Sequence, residues 1–311
     1  MNNKLPIFFG LSAAVAILLI LAFQGGTNLE TIDDILPSNY RLVNEDGLAQ
    51  IVQLPTLKGS YDFAGEALPL DNFDVRERLE RELVVNSYYH SGTSLNLRKS
   101  VRYFPVIEKI LAEKGLPEDL KYLAVAESNL SNATSPAGAK GFWQFMKPSA
   151  GQFGLEVNSE VDERFHLEKA TEAACTYFLQ LKKRFGNWTN AAAAYNVGPT
   201  RFNREKNLQK MDSYYDLNLN EETGRYLFRI VAIKEVLSNP KAFGFFFGED
   251  EGFPPLVDYK VVTVKKSIPS IGDFAKEHGT TYRMIKVYNP WLISHKLTVS
   301  AGNSYEIKVP T

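Results

Sequence analysis

From Phe73 to Leu237 the apolar residues recur at three- and four-residue spacing, and few segments ahead of residue 255 alternate with period two. A stretch patterned in this way cannot present the buried face of a sheet. It folds as packed helices, which makes the main domain, expected over 63–242, mainly α. Val75, Leu79 and Leu83 mark a first helix beginning at Phe73. Tyr103, Phe104, Ile107, Ile110 and Leu111 mark a second, over roughly Val101 to Lys114, with Gly115 ending it. A third starts at Pro117, which suits a first turn, and Glu118 and Asp119 suit its positive end. An irregular stretch rich in Ser, Asn, Ala and Gly then runs from Asn129 to Phe142. Helical patterns resume over Lys169–Phe185, Trp188–Tyr195 and Glu221–Leu237.

The pattern changes after residue 242. Gly244, Gly248, Gly252, Pro254 and Pro255 break any regular element, so 243–256 reads as a linker. Phe245, Phe246 and Phe247 are expected to pack back on the helical domain, because three exposed phenylalanines invite aggregation. From 257 to 311 a strand over Tyr259–Val264, helices near Ile271–His278 and Tyr282–Tyr288, a break at Asn289-Pro290 and a strand over Tyr305–Val309 make a β-α-α-β module.

At the other end, Lys4 precedes a nearly continuous apolar run from Leu5 to Phe23. Its length approaches the roughly 20 residues that span a bilayer and exceeds the roughly 7–15 of a signal-peptide core. Residues 1–27 are therefore expected to be a signal anchor in preference to a cleaved signal peptide. Either places the body of the chain on the periplasmic side of a membrane, in the cell envelope. Residues 28–62 carry no motif and read as a tether. Composition narrows the remaining classes. A formal net charge of -1 gives no electrostatic case for nucleic acid. Cys175, the single cysteine, permits no internal disulfide and reads as a small buried apolar residue. His90, His166, His278 and His295 are scattered without metal-ligand spacing, so neither a metal nor another cofactor is expected.

Leu116, Leu120, Leu123, Ala124 and Glu127 lie on one helical stripe. A carboxylate on an apolar stripe faces the interior, and burial raises its pKa. It is either a structural acid satisfied by hydrogen bonds or a general acid protonated near neutrality, the kind that breaks a glycosidic bond. Three further stretches belong with it. Gly141-Phe142-Trp143-Gln144-Phe145 offers flat aromatic surface for a sugar ring and an amide with donor and acceptor, although Trp143 and Phe145 also suit a core. Ala191 to Ala194 let helices pack closely ahead of Tyr195, Asn196 and Gly198. Tyr226 shares a stripe with Ile230, Ile233 and Leu237, the position of a core tyrosine.

Taken together, in order and spacing, these stretches resemble the motifs of the family 1 lytic transglycosylases, whose SLT domain belongs to the lysozyme-like superfamily, and nearest its membrane-bound D branch. Phe104-Pro105-Val106-Ile107-Glu108, Leu116 through Leu123, Val161-Asp162-Glu163-Arg164 and Ala170 through Ala174 extend the likeness over about Phe63 to Leu237. Residues 257–311 resemble a LysM peptidoglycan-binding domain. It departs from that pattern where a Gly-Asp-Thr turn is usual, because the chain reads Lys265-Lys266-Ser267-Ile268-Pro269-Ser270. A spacer or partner-docking role therefore stands beside glycan binding for this module.

The resemblance implies that Glu127 is the single catalytic acid and base. It further implies that Ser128, Gln144, Phe145, Tyr195, Asn196 and Tyr226 line the substrate site. The reaction implied is non-hydrolytic cleavage of the β-1,4 bond between N-acetylmuramic acid and N-acetylglucosamine, leaving a 1,6-anhydro end. Peptidoglycan strands and, through residues 5–23, the membrane are the expected partners. An ordinary glycosidase uses two carboxylates. A hydrolytic muramidase on the same scaffold would need a second acid, for which Asp162 or Glu163 can be put forward. The other alternative is a peptidoglycan-binding scaffold with an inactive cleft.

Overall fold

Eight α-helices precede the C-terminal module in the computed structural model, which describes residues 54–57 and 59–311. They are α1 (Phe73–Ser87), α2 (His90–Glu113), α3 (Lys121–Ser128), α4 (Lys147–Gln152), α5 (Leu167–Phe185), α6 (Trp188–Val197), α7 (Pro199–Gln209) and α8 (Glu221–Ser238). The expected membrane anchor over 5–23 and most of the expected tether lie outside the described residues. Among the described residues no helix is long and apolar enough to cross a membrane.

The helix starts follow local chemistry. Asn72 accepts from the Asp74 amide at the head of α1, and Asn220 from the Thr223 amide at the head of α8, each satisfying an orphan donor of a first turn. Helix α2 begins at His90, well ahead of the expected Val101, because its first turns bury Gly92, Thr93, Asn96 and Leu97, a set too polar to show apolar periodicity. The helix expected from Pro117 opens as a 3-10 turn over Glu118–Leu120, with Leu120 N–H donating to the Pro117 carbonyl, and becomes α-helical only at Lys121. Helix α8 is the central element, packed on α1, α3 and α6. It buries Tyr226, Leu227, Phe228, Ile230, Val231 and Ala232 on nearly every side. Ala191 to Ala194 are fully buried, so the close helix contact expected of that run is present.

Three features of the helical domain had no counterpart in the sequence pattern. Two are the helices α4 and α7. The third is a hairpin of β1 (Asp62–Phe63) and β2 (Glu66–Ala67), turned by Ala64 and Gly65 at positive φ. Tyr61 and Phe63 are buried in the main core. The last residues of the expected tether thus belong to the domain, and its boundary lies before Tyr61. The hairpin's Glu66 carboxylate accepts from the amides of Trp188 (2.7 Å) and Thr189 (2.9 Å), capping α6 from far away in sequence.

The linker is strapped along α2. Phe253 N–H donates to the Arg98 carbonyl at 2.9 Å, and Arg102 Nε donates to the Pro254 carbonyl at 2.9 Å. Phe245 is buried against Leu97 and Val236, as expected. Phe246 is not: it is 83% exposed, since a short irregular segment cannot turn three successive rings the same way.

The C-terminal module pairs β3 (Tyr259–Val264) antiparallel with β4 (Tyr305–Pro310), with α9 (Ile271–Glu277) and α10 (Tyr282–Tyr288) between them in sequence. Ile271, Ile285, Ile307 and Val309 form its core. Asn289 is buried at the end of α10 and brackets Lys308 of β4, donating to its carbonyl at 2.6 Å and accepting from its amide at 2.8 Å. Lys265 and Lys266 are exposed, and the segment without the usual turn is tied instead by backbone pairing of Ile268 with Leu297.

This module is docked on the helical domain. Val161 of the helical domain belongs to the module's own core cluster. Asp162 N–H donates to the Trp291 carbonyl and Ile293 N–H to the Glu160 carbonyl, both at 2.9 Å. Tyr305 donates to the Glu156 carboxylate at 3.0 Å, Lys308 pairs with Glu168, and His166 stacks on Trp291.

Candidate active site

Glu127 comes from the last turn of α3 and Tyr226 from the second turn of α8. The Tyr226 hydroxyl donates to Glu127 Oε1 at 2.5 Å. Glu127 keeps some accessible surface, while Tyr226 is fully buried, so the carboxyl meets the expected substrate cleft on one side and a buried donor on the other. Burial is the largest influence on the Glu127 carboxyl and raises its pKa to about 7. The hydrogen bond from Tyr226 works the other way, the charge of Glu222 adds to the rise, and that of Arg229 opposes it. Arg229 donates to Glu222 at 2.9 and 3.3 Å, so much of this charge is spent within the pair. Glu222, Tyr226 and Arg229 fall at i, i+4 and i+7 of α8, a spacing that could have revealed the flanking charges in the sequence.

Tyr195 of α6 completes the aromatic wall. Its ring stacks on Phe178 with centroids 4.4 Å apart, and its hydroxyl donates to the Trp143 carbonyl at 2.6 Å. Burial, then the Glu127 charge, pushes its phenol far above the ordinary range. Tyr195 therefore stays neutral beside Glu127 and holds the loop that enters the cleft.

Known sequences divide the chain as the geometry does. Residues 104–218 match the transglycosylase SLT domain, and residues 260–311 match the soluble lytic transglycosylase C-terminal LysM-like domain. The chain carries a transglycosylase SLT domain followed by a LysM-like domain. Membrane-bound lytic murein transglycosylase D of Escherichia coli K12 is 29% identical over 191 residues, 58% of this chain and 41% of that protein. The protein of the same name from Escherichia coli O6:H1 matches to the same extent. The chain thus spans less than half the length of the relatives it matches. Among solved structures, that of an inactive mutant of the lytic transglycosylase Slt from Pseudomonas aeruginosa aligns with a TM-score of 0.40 and 19% identity, covering 59% of this chain and 31% of that one.

Within the SLT domain the other expected site residues hold the cleft's parts in place. Asn196 Oδ1 accepts from the Thr223 hydroxyl at 2.9 Å, tying the end of α6 to the start of α8. Ser128 donates back to the Ala124 carbonyl at 2.9 Å and accepts from the Ser131 amide at 3.3 Å, so its hydroxyl steadies the turn after α3. Gln144 sits at φ 49°, and its amide donates to the carbonyls of Ala133 (3.2 Å) and Gly141 (2.7 Å), which fixes its orientation. Phe145 is enclosed by Phe153, Tyr177 and Tyr195, and Trp143 is buried with its indole N–H on Thr171 at 2.9 Å. Both rings are buried, so neither presents a flat face to a ligand.

The sequence marked Arg164 within the stretch Val161-Asp162-Glu163-Arg164 but gave it no role. It donates to Asp162 at 2.8 and 2.7 Å, and from the same guanidinium to the carbonyls of Gly138 (3.1 Å) and Phe145 (3.2 Å). Gly141 fits against it because it has no side chain: a Cβ there would meet the Arg164 carbonyl at 1.8 Å. Asp162 and Glu163, the acids put forward for a hydrolase, are already engaged. Asp162 holds Arg164 and Lys140, while Glu163 holds Lys169 and the Glu156 amide. Among the described residues no group of acids, histidines and cysteines has metal-binding geometry.

Proposed function

We propose that the chain is a peptidoglycan lytic transglycosylase acting in the cell envelope, tethered to the membrane by residues 5–23, with Glu127 as its single acid and base. The observation that carries this reading is the Glu127–Tyr226 pair: a largely buried carboxyl with a pKa of about 7 and a donor at 2.5 Å. Near neutral pH such a group is present both as acid and as carboxylate, so one residue can serve two proton transfers. Glu127 first gives its proton to the glycosidic oxygen as the bond from that oxygen to muramic C1 breaks. The oxygen of the muramic C6 hydroxyl then bonds to C1, and its proton returns to Glu127. No water is consumed, which suits a site whose neighbouring acid, Glu222, is tied to Arg229, and a chain in which Asp162 and Glu163 are held by cations elsewhere. Ser128, Gln144, Phe145, Tyr195 and Asn196 then shape the cleft through the contacts they hold, and Tyr226 keeps the carboxyl oriented.

Mass spectrometry of products released from purified sacculi tests the reading, with Glu127→Gln alongside. Anhydro-muropeptides from the parent are expected, with the variant slower by about 100- to 10,000-fold, the usual contribution of a general acid. Products carrying an added water would make the protein a muramidase. Binding to sacculi with no soluble product from either protein would make it a scaffold.

A further inference from the structure

One guanidinium holds both ends of the loop that enters the cleft. Arg164 donates to the Gly138 carbonyl at 3.1 Å and to the Phe145 carbonyl at 3.2 Å. Between those points the loop closes on itself, with Lys140 and Phe145 exchanging backbone hydrogen bonds at 3.1 Å. Gly141 lies against the Arg164 carbonyl, where a side chain would not fit. The same loop is tied beside the acid. The Trp143 carbonyl accepts from Tyr195 at 2.6 Å, and Tyr195 lies close enough to Glu127 for the carboxylate's charge to raise its phenol pKa. The Gln144 amide is held to the carbonyl of Ala133, on the segment that follows Glu127. Loop 138–145 thus has two anchors, Tyr195 next to the acid and Arg164 at the seam between the domains.

Arg164 is placed in turn by Asp162, which accepts from it at 2.8 and 2.7 Å, and the two are only 4% and 1% exposed. Asp162 stands on a segment held by the LysM-like domain. Val161 belongs to that domain's core and bridges to Leu292. Asp162 N–H donates to the Trp291 carbonyl and Ile293 N–H to the Glu160 carbonyl, both at 2.9 Å. The Glu160 carboxylate accepts from the Thr298 amide at 2.6 Å and from its hydroxyl at 3.2 Å, and it pairs with Lys296 at 3.3 Å. Beside this joint the two domains part around a cavity of about 520 Å3. Segment 160–164 is therefore the place where the LysM-like core and the cleft loop meet. A buried ion pair whose donors and acceptors are all engaged is rigid, so a movement of one side is passed to the other.

We propose that Arg164 is a positioning residue for the reaction at Glu127, and that the LysM-like domain sets it through Val161 and Asp162; the inference rests on the peptidoglycan reading of the cleft. Arg164 touches no substrate. It acts through loop 138–145, and the LysM-like domain is then a brace for the cleft, whatever its own affinity for glycan.

The test compares the full chain with Arg164→Lys and Glu160→Ala. It reads kcat and KM on soluble glycan strands, the denaturant midpoint, and hydrogen exchange of loop 138–145. Lysine keeps the ion pair with Asp162, but a point charge on a flexible stem does not replace a planar fork that spans two carbonyls. Arg164→Lys should therefore unfold near the parent's midpoint and exchange faster in the loop. Its kcat should fall by about tenfold or more with KM within about twofold, since a misplacement of about 1 Å remote from the chemistry can cost about 100-fold. Glu160→Ala cuts only side-chain ties to the LysM-like domain and leaves the Glu160 carbonyl on Ile293. It should lower kcat by about threefold in the same manner, and it carries the test if Arg164→Lys fails to fold. Ile285→Val, in the LysM-like core and away from segment 160–164, should leave kcat and loop exchange as in the parent. Parent kcat in both variants, a rise in KM alone, or a loss of kcat that follows stability across all three variants overturns the positioning role. The two readings separate cleanly. Normal cleavage with unchanged loop exchange removes the brace and leaves the enzyme. Faster loop exchange in Arg164→Lys and Glu160→Ala, in a protein that cleaves nothing, keeps the link from the LysM-like domain to the loop and removes the reaction.

Discussion

The interdomain seam and the cleft both bury carboxylates, and they treat them in opposite ways. At the seam between the domains, burial pushes the carboxyls of Asp162 and Glu168 up, and their partners more than reverse it: Arg164 and Lys140 hold Asp162 below its ordinary value, and the hydrogen bond of His166, with that and the charge of Lys308, brings Glu168 to about 2. In the cleft, Glu127 receives a neutral hydroxyl and no cation of its own, since Arg229 is occupied by Glu222. Its pKa goes up to about 7. The same fold thus makes permanent anions at the joint and a titrating acid at Glu127. What differs is the partner supplied, because desolvation acts in the same direction in both places.

The comparison breaks first at the seam. Arg164→Met should lower stability by about 3–5 kcal/mol, the usual cost of leaving one member of a buried ion pair behind. Denaturant unfolding measures it. A loss below about 1 kcal/mol would mean that the seam's charges contribute no more than surface pairs.

The cleft should respond in the reverse sense. The folded-state pKa of Glu127, about 7, lies above the ordinary 4.5, so the folded protein holds this proton more tightly than the unfolded chain does. Its contribution to stability is whole below about pH 4.5 and is lost as pH rises through about 7. Glu127→Gln, whose amide oxygen can still accept from Tyr226, should therefore stabilise the protein at about pH 8 by up to about 3 kcal/mol and change little at about pH 4.5. An equal effect at both pH values would show that the acid is not strained by its charge. The smallest effect belongs to Tyr226→Phe. Removing a hydrogen bond that favours the carboxylate should move the descending limb of the pH–rate profile upward and slow cleavage by about tenfold through lost orientation. A downward shift would mean that Tyr226 favours the protonated form instead.

Much of this was legible in the sequence wherever a helix shows one buried stripe. The spans of α5, α6 and α8 and the four elements of the LysM-like domain follow from periodicity and breakers. The stripe through Leu120, Leu123 and Glu127 places the acid facing inward. What stayed hidden was made by distant partners. The hairpin at Asp62–Ala67 is too short for any period, and α7 buries only Phe202, so it has almost no stripe. Arg164 and Asp162 look like an ordinary charged pair until the Trp291 carbonyl and the Gly138–Phe145 loop close around them. Gly and Pro in 243–256 announced a break in regular structure, yet not that the segment lies bound along α2. A cavity between the domains cannot be read from a pattern that treats that segment as free.

The Glu66 carboxylate that caps α6 has a consequence for how this protein divides into inherited and foldable pieces. The stretch recognised as the SLT domain, 104–218, contains Glu127 but neither Tyr226 nor Glu66. Excised along those borders, the acid would lose its donor, and the helix bearing Tyr195 and Asn196 would keep its Asn187 cap but lose the carboxylate that accepts from its Trp188 and Thr189 amides. The unit that evolution copies is here smaller than the unit physics can hold together, and a gene cut for transplantation should reach at least from Tyr61 to Ser238.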